Sequence, residues 1–269
     1  MGGEHSDEVT GRLLETHPQL LWRRHSDAVH AALIRRWLPA PLGSVLKTDL
    51  FDEAAGVGLT PVLAGLAERV VGIDVSPSVV RLARERHAGL EALEADVRAL
   101  PFEEGEFDAV VSNSTLDHFD SKADIVAGLR ELHRVLRPEG TLVLTLDNPW
   151  NPVVGLSKLL PRRRLNRAWI RVGEPASRAG LFPYYVGETL DVRRAQAVLA
   201  ELGFAVAAVD AIVHAPRALA VVVASLLERH TSPEAQARFL RMLDGCERLG
   251  RLPTRYVTGH LTAVKAVRR

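Results

Sequence analysis

The sequence is poor in the features that announce a specialised environment. Its only cysteine among 269 residues, Cys246, excludes an internal disulfide framework and a cysteine-built zinc cluster, since both need several thiols. A reducing, cytoplasmic setting and no resident metal are expected. Excess charge is also missing: the formal net charge of +1 gives no global field to gather nucleic acid or an anionic membrane. The most apolar run, ALAVVVASLL at 218–227, falls short of the roughly 20 residues needed to cross a bilayer. The opening MGGEHSDEVT lacks the basic-then-apolar order of a signal peptide and reads as a frayed tail. These absences leave a small molecule as the expected partner, with no nucleic acid and no membrane span.

What remains is ordinary globular material, 47% hydrophobic and 25% charged, enough to bury a compact core. Residues 17–38 place Leu21, Trp22, Ala28, Ala32, Leu33, Ile34 and Trp37 mostly at helical spacing before Pro39 and Pro41, which predicts a leading amphipathic helix over 17–38 within an N-terminal helical cap at 1–41. Strands and helices then alternate: a strand from Val45, a helix over 59–68, a strand over 69–74, a helix over 77–87 capped by Ser76, a strand ending at Asp96, a strand over 107–113, a helix over 121–136 and a strand over 141–146. Alternation with short links predicts a parallel sheet over 42–147 with helices on both faces, and ligands of such sheets sit at the carboxyl ends of the strands. Residues 148–190 read as a loop-rich insertion over those ends, and the substrate pocket is expected between its 148–187 part, the leading helix and a helical pair at 216–247. From 191 to 269 the pattern predicts the rest of the core, with a helical pair inserted at 216–247 and a last strand at 256–267.

The stretches AAGVG, VVGIDVSPSVVRLAR, EADVRALPFEEGEFDAVVSNSTLDHF and LRELHRVLRPEGTLVLT follow one another as a glycine turn, an acid closing the second strand, an acid after the third, and an apolar fourth strand ending in Ser112 and Asn113. In that order and spacing, over roughly residues 45–147, the chain resembles the class I S-adenosylmethionine-dependent methyltransferases. The resemblance implies a Rossmann-like, doubly wound α/β fold: a mostly parallel, seven-stranded sheet with an inserted cap. It also implies S-adenosyl-L-methionine as cofactor and in-line transfer of its methyl group to a small-molecule acceptor. By the same resemblance Asp74, with Val75 next to it, accepts the ribose hydroxyls. Asp96 accepts from the adenine amino group while the Val97 amide meets a ring nitrogen. Asn113 and Ser114 hold the cofactor or reach the transferred methyl, and Gly56 and Gly58 let the first turn approach the ligand. Each residue also suits a plainer role as a turn or cap.

The first turn is unusual. Spacing alone aligns Asp52, Ala54, Gly56 and Gly58 with the family's DxGxGxG, Ala replacing the first Gly, but this would bury Lys47, Thr48 and Asp49 in mid-strand, where an unpaired charge is costly. A strand ending near Lys47 to Asp49, with LFDEAAGVG as an enlarged loop, removes the conflict and is preferred. Lys47 would then meet the cofactor's carboxylate, and Asp49 or Asp52 its ammonium. The alternative is that Lys47 and Asp49 only pair with neighbouring charges.

A base is needed where the acceptor must lose a proton. His118 in LDHF is the first candidate, followed by His25, His30, Tyr184 and Tyr185, histidine being suited by its titration near neutrality. The run PRRRLNRAWIR at 161–171 either meets an anionic substrate group or forms a solvated face. Two other functions stand beside methyl transfer: a nicotinamide-dependent oxidoreductase, for which GxGxxG and a Tyr–Lys pair at a spacing of four are missing, and a non-catalytic nucleotide-binding module. Specialised metabolism is the expected setting. The acceptor and the oligomeric state are not written in these motifs.

Overall fold

A computed structural model describes residues 19–159 and 187–269. The expectations for the opening tail, for Tyr184 and Tyr185 and for the arginine run at 161–171 fall outside the described residues. Seven strands form one sheet: β1 (Leu42–Lys47), β2 (Ala67–Asp74), β3 (Leu90–Glu94), β4 (Phe107–Asn113), β5 (Leu136–Asp147), β6 (Phe204–Ile212) and β7 (Leu261–Arg268). Their order is β3-β2-β1-β4-β5-β7-β6. β1 to β5 pair in parallel, while β7 lies antiparallel between β5 and β6. This is the expected doubly wound α/β sheet.

Ten helices are described: α1 (Leu20–Trp37), α2 (Phe51–Ala55), α3 (Thr60–Ala64), α4 (Pro77–Arg86), α5 (Lys122–Val135), α6 (Pro152–Leu159), α7 (Val192–Glu201), α8 (Arg217–His230), α9 (Pro233–Cys246) and α10 (Arg255–Thr258). Strand alternation divides the core between the two faces of the sheet. Val45 and Val70 join the cluster shared with α1, α3, α4, α8 and α9, while their neighbours Leu46 and Val71 join the one shared with α5 and α7. Caps fix the starts: Ser76 accepts from Val79 N, Ser121 from Asp124 N and Asp191 from Arg194 N, each satisfying a donor that the first turn leaves open.

α1 lacks a cap of its own, and Gln19 before it is left-handed with φ 48°. Instead Leu21 N donates to Glu228 Oε1 of α8 at 2.5 Å. His25, fully buried, places Nδ1 3.1 Å from Asp244 of α9 and Nε2 3.2 Å from Glu247. α1 is thus fastened to the helical pair by polar contacts as well as by Leu21, Ile34 and Trp37 in the core.

Several boundaries differ from the sequence reading: β1 begins at Leu42 rather than Val45 and β5 at Leu136 rather than 141. The helix expected over 59–68 is cut to α3 because Ala67 already pairs with Leu42 in the sheet. β3 stops at Glu94, the partner of Asp74, two residues before Asp96. The last strand begins at Leu261 rather than 256, because its neighbour β5 ends at Asp147, opposite Leu261. The residues before it curl into α10, and Asn148 Nδ2 donates to the carbonyls of Tyr256 and Gly259.

Candidate active site

Strand order reverses between β1 and β4, and their carboxyl ends open into a cleft of about 1080 Å³, the place where open α/β sheets bind ligands. Around it stand Asp49, Asp52, Asp74, Val75, Asp96, Val97, Asn113, Ser114 and His118. The structure therefore brings nine of the expected cofactor and catalytic residues to one site, and His30, a further candidate base, joins them. Lys47, Gly56 and Gly58 are not among the lining residues.

The tip of β1 explains that exception. β1 ends at Lys47, as the shorter-strand reading requires, but the lysine turns inward: it is 0% exposed and ion-pairs with Glu53 of α2 at 2.8 Å. It also donates to the carbonyl of Asp49. Burial alone would lower the ammonium's pKa, yet Glu53, Asp49 and Asp52 outweigh it and raise the value. The other Glu53 oxygen accepts from Leu59 N at 2.8 Å. Gly58 has φ +57°, and a Cβ there would lie 2.5 Å from Glu53 Oε1. Glycine at this position makes room for the buried pair rather than for a ligand. Gly56 closes α2 and faces a smaller cavity on the other side of α1. In place of the expected contact with a cofactor carboxylate, Lys47 braces the enlarged loop from below.

Beyond Lys47 the polar residues reach the cleft, although Thr48 is itself buried. Thr48 Oγ1 bridges to β4 through Ser112 Oγ at 3.0 Å and Thr115 Oγ1 at 2.8 Å. Asp49 Oδ1 accepts from Phe51 N at 3.0 Å. Burial pushes the Asp49 carboxyl up to about 7, Lys47 resisting and the Asp74 and Asp52 carboxylates adding to the rise. Asp52 is pushed the same way by burial, but Arg23 of α1, which ion-pairs with it, and Lys47 pull harder and hold it below its ordinary value.

Asp74 ends β2, where Leu50 N donates to Oδ2 at 3.1 Å and Ser76 N to Oδ1 at 2.9 Å. Ala95 N donates to the Asp74 carbonyl at 3.0 Å, which sets Asp96 just past the neighbouring strand tip. Arg98 grips Asp96 at 2.6 Å, and that hydrogen bond holds the carboxyl below its usual range against partial burial. Asn113 is 7% exposed at the end of β4, and its Oδ1 has no hydrogen-bond partner among the described residues. His118 sits exposed in a short 3₁₀ turn, Leu116–His118, on the outer lip.

Two further walls include the leading helix and Arg217 of the helical pair, both expected to form the substrate pocket. Gln19, Trp22, Arg23, Ser26 and His30 line the cleft from a single stripe of α1, spaced by three, four and seven as a helix face demands. Opposite them His260, the residue before β7, stands with its Nε2 3.8 Å from Asp147 and 3.4 Å from Arg217, and Arg217 and Val213 also line the cleft. Among the described residues no group of side chains could hold a metal ion.

Residues 52–144 match the family model described as a methyltransferase domain. Over that stretch, about a third of the chain, the sequence is similar to methyltransferase domains, as its motifs imply. A demethylmenaquinone methyltransferase of Thermus thermophilus is 38% identical over 146 residues, covering 51% of this chain and 59% of the relative. One from Beutenbergia cavernae is 34% identical over 137 residues, covering 49% of this chain and 56% of the relative. The matches thus span less than three-fifths of those relatives' own lengths. In fold, the chain is similar to an S-adenosylmethionine-dependent methyltransferase from Mesorhizobium loti, with a TM-score of 0.55, 18% identity and coverage of 88% of this chain and 96% of that one. The α1 wall and the His260 wall of the cleft lie outside residues 52–144.

Proposed function

We propose that the protein transfers the methyl group of S-adenosylmethionine to a small, largely apolar acceptor held in this cleft. The observation that carries the reading is the meeting of Asp74 and Asp96 on adjacent strand tips, with Asp49 and Asp52 over the next tip, around one cavity. In this reading Asp74 accepts the ribose hydroxyls. Asp96, Val97 and Val75 take the adenine edge, and Ser114 and the unpartnered Oδ1 of Asn113 meet donors of the cofactor. Asp49 and Asp52 receive its ammonium, and the Arg23 guanidinium, which lines the cleft, suits its carboxylate better than the buried Lys47 does. An acid-rich rim and an idle buried acceptor fit a cationic ligand.

When bound, the cofactor supplies a methyl on a sulfonium, which an acceptor lone pair takes as the carbon–sulfur bonding electrons return to sulfur. The chain's own task is to align the partners and exclude water, and alignment of this kind can supply roughly 7–11 kcal/mol. Trp22, Phe51, Val213 and Leu261 give the cleft an apolar side, and relatives named for demethylmenaquinone support an apolar acceptor. A cytoplasmic setting, supported by the lone Cys246, and a role in specialised metabolism belong to the same reading. Among the described residues no helix is long and apolar enough to cross a membrane.

Calorimetric titration tests the proposal. S-adenosylmethionine and S-adenosylhomocysteine are expected to bind and NADH not to. Asp74→Asn is expected to weaken both by about tenfold, or about 1.4 kcal/mol, with an unchanged melting temperature. Tighter binding of NADH, or unaltered affinity in Asp74→Asn, would overturn it.

A further inference from the structure

His30 lies on the cleft-facing stripe of α1 and is only 6% exposed. Its Nδ1 is 2.8 Å from the Ser26 carbonyl one turn back. A carbonyl only accepts, so Nδ1 carries the hydrogen, and in the neutral ring Nε2 is left with a bare lone pair. That nitrogen has no hydrogen-bond partner among the described residues. Burial lowers the imidazole's pKa, the Ser26 carbonyl and the Asp52 carboxylate resisting, while Lys47 adds to the fall and Glu247 opposes it. The ring is neutral near pH 7. A buried acceptor without a donor costs about 1–3 kcal/mol, so its persistence beside a cavity points to a donor that arrives with a ligand.

Resting on the methyltransferase reading, we propose that His30 Nε2 receives the hydroxyl proton of the acceptor, and that the acceptor is a hydroxylated aromatic compound. Three features of the cleft meet in this assignment. The indole of Trp22 lies on the same helix stripe two turns away, and Phe51 faces the cleft from α2, giving aromatic surface for a flat ring. Gln19 Nε2, a buried donor with no partner among the described residues, stands on the same stripe and suits a second oxygen on that ring. The hydroxyl is then the donor that Nε2 lacks. As the oxygen forms its bond to the methyl carbon, its proton passes to Nε2, the neutral imidazole becomes an imidazolium, and that proton leaves to water when the methylated product departs. His118 faces solvent on the lip, where water already serves it. His30 is the imidazole kept dry and in one tautomer.

The test uses the full-length protein with ring-labelled histidine, S-adenosylhomocysteine bound to prevent turnover, and 2-naphthol as probe. Before the probe is added, the nitrogen spectrum of His30 is expected to show a protonated Nδ1 and an unprotonated Nε2. With 2-naphthol, the Nε2 signal is expected to move towards the hydrogen-bonded position. His30→Phe is expected to bind 2-naphthol about tenfold more weakly and S-adenosylhomocysteine as tightly as before, which also reports an intact fold. An Nε2 signal unmoved at saturating probe, equal naphthol affinity in the variant, or no naphthol binding by protein that binds S-adenosylhomocysteine would overturn the proposal and leave the methyltransferase reading standing. Failure of the wild type to bind S-adenosylhomocysteine would overturn the reading itself.

Discussion

The two sides of the sheet solve the same problem differently. On the β3-β2-β1-β4 side every strand runs the same way, so each carboxyl end delivers its polar residue to the cleft: Asp49, Asp74, Asp96 and Asn113 arrive by direction alone. On the β5-β7-β6 side β7 runs backwards, and what reaches the cleft is the residue before a strand, His260. A rule that looks for ligand contacts at strand ends finds the first set and passes over the second. The parallel side holds its loop with a buried ion pair, whereas the other side is tied to α1 through a buried histidine.

That contrast can be broken at three points. The largest effect is expected at Lys47. Lys47→Ala leaves Glu53 buried without its partner and should cost about 3–5 kcal/mol in chemical denaturation, whereas replacing both residues with apolar ones of similar size should recover most of the loss. A cost below 1 kcal/mol would mean that the pair is open to water and the two sides are less different than they look.

The next effect concerns Asp49. With its carboxyl at about 7 in the cofactor-free protein, the acid loses its charge as pH falls through that value. If it receives the cofactor's ammonium, affinity for S-adenosylmethionine should drop by about tenfold between pH 8 and pH 6. Calorimetry on Asp49→Asn should show that slope flattened, and an equal slope in the variant would remove Asp49 from the ammonium site.

The smallest effect lies at the joint with α9. Burial pulls the His25 imidazole down, but Glu247 and Asp244 pull harder and its pKa is raised. A group with a raised folded-state pKa stabilises fully below its unfolded value, near 6.5, and loses that contribution as pH rises through the folded one. Melting temperatures should therefore fall on going above neutrality in the wild type, by about 1 kcal/mol in stability, and His25→Gln should remove that component. A pH-independent difference between the two would show that His25 packs without carrying charge.

The residues that could be read in advance share a physical property. Strands β2, β4 and β5 are apolar runs closed by a polar residue, and α4, α5 and α7 carry caps and periodicity, so each is specified within its own few residues. Asp74, Asp96 and Asn113 inherit their places from those elements. Lys47 could be placed at a strand end but not paired, because its partner Glu53 sits in a short helix without a periodic signal and Gly58 mimics a ligand-binding glycine. For the α1 wall the helix and His30 could be named, but not the stripe that faces the cleft. Trp22, Ser26 and His30 are interleaved with the apolar residues that face α8 and α9, and which side of such a helix is open depends on what covers the other. The start of β7 was misplaced because the sequence shows β-formers at Tyr256 and Val257, while the ladder they would need ends at Asp147.

Arg23 and Asp52 join a helix from one end of the chain to the loop under the cofactor cleft. The matched domain begins at Asp52, so the bridge crosses from its first residue to a segment outside it. The roof is thus clamped to the floor of the cleft by this guanidinium, while Leu21 N and His25 tie its other side to the helical pair and the residue after it.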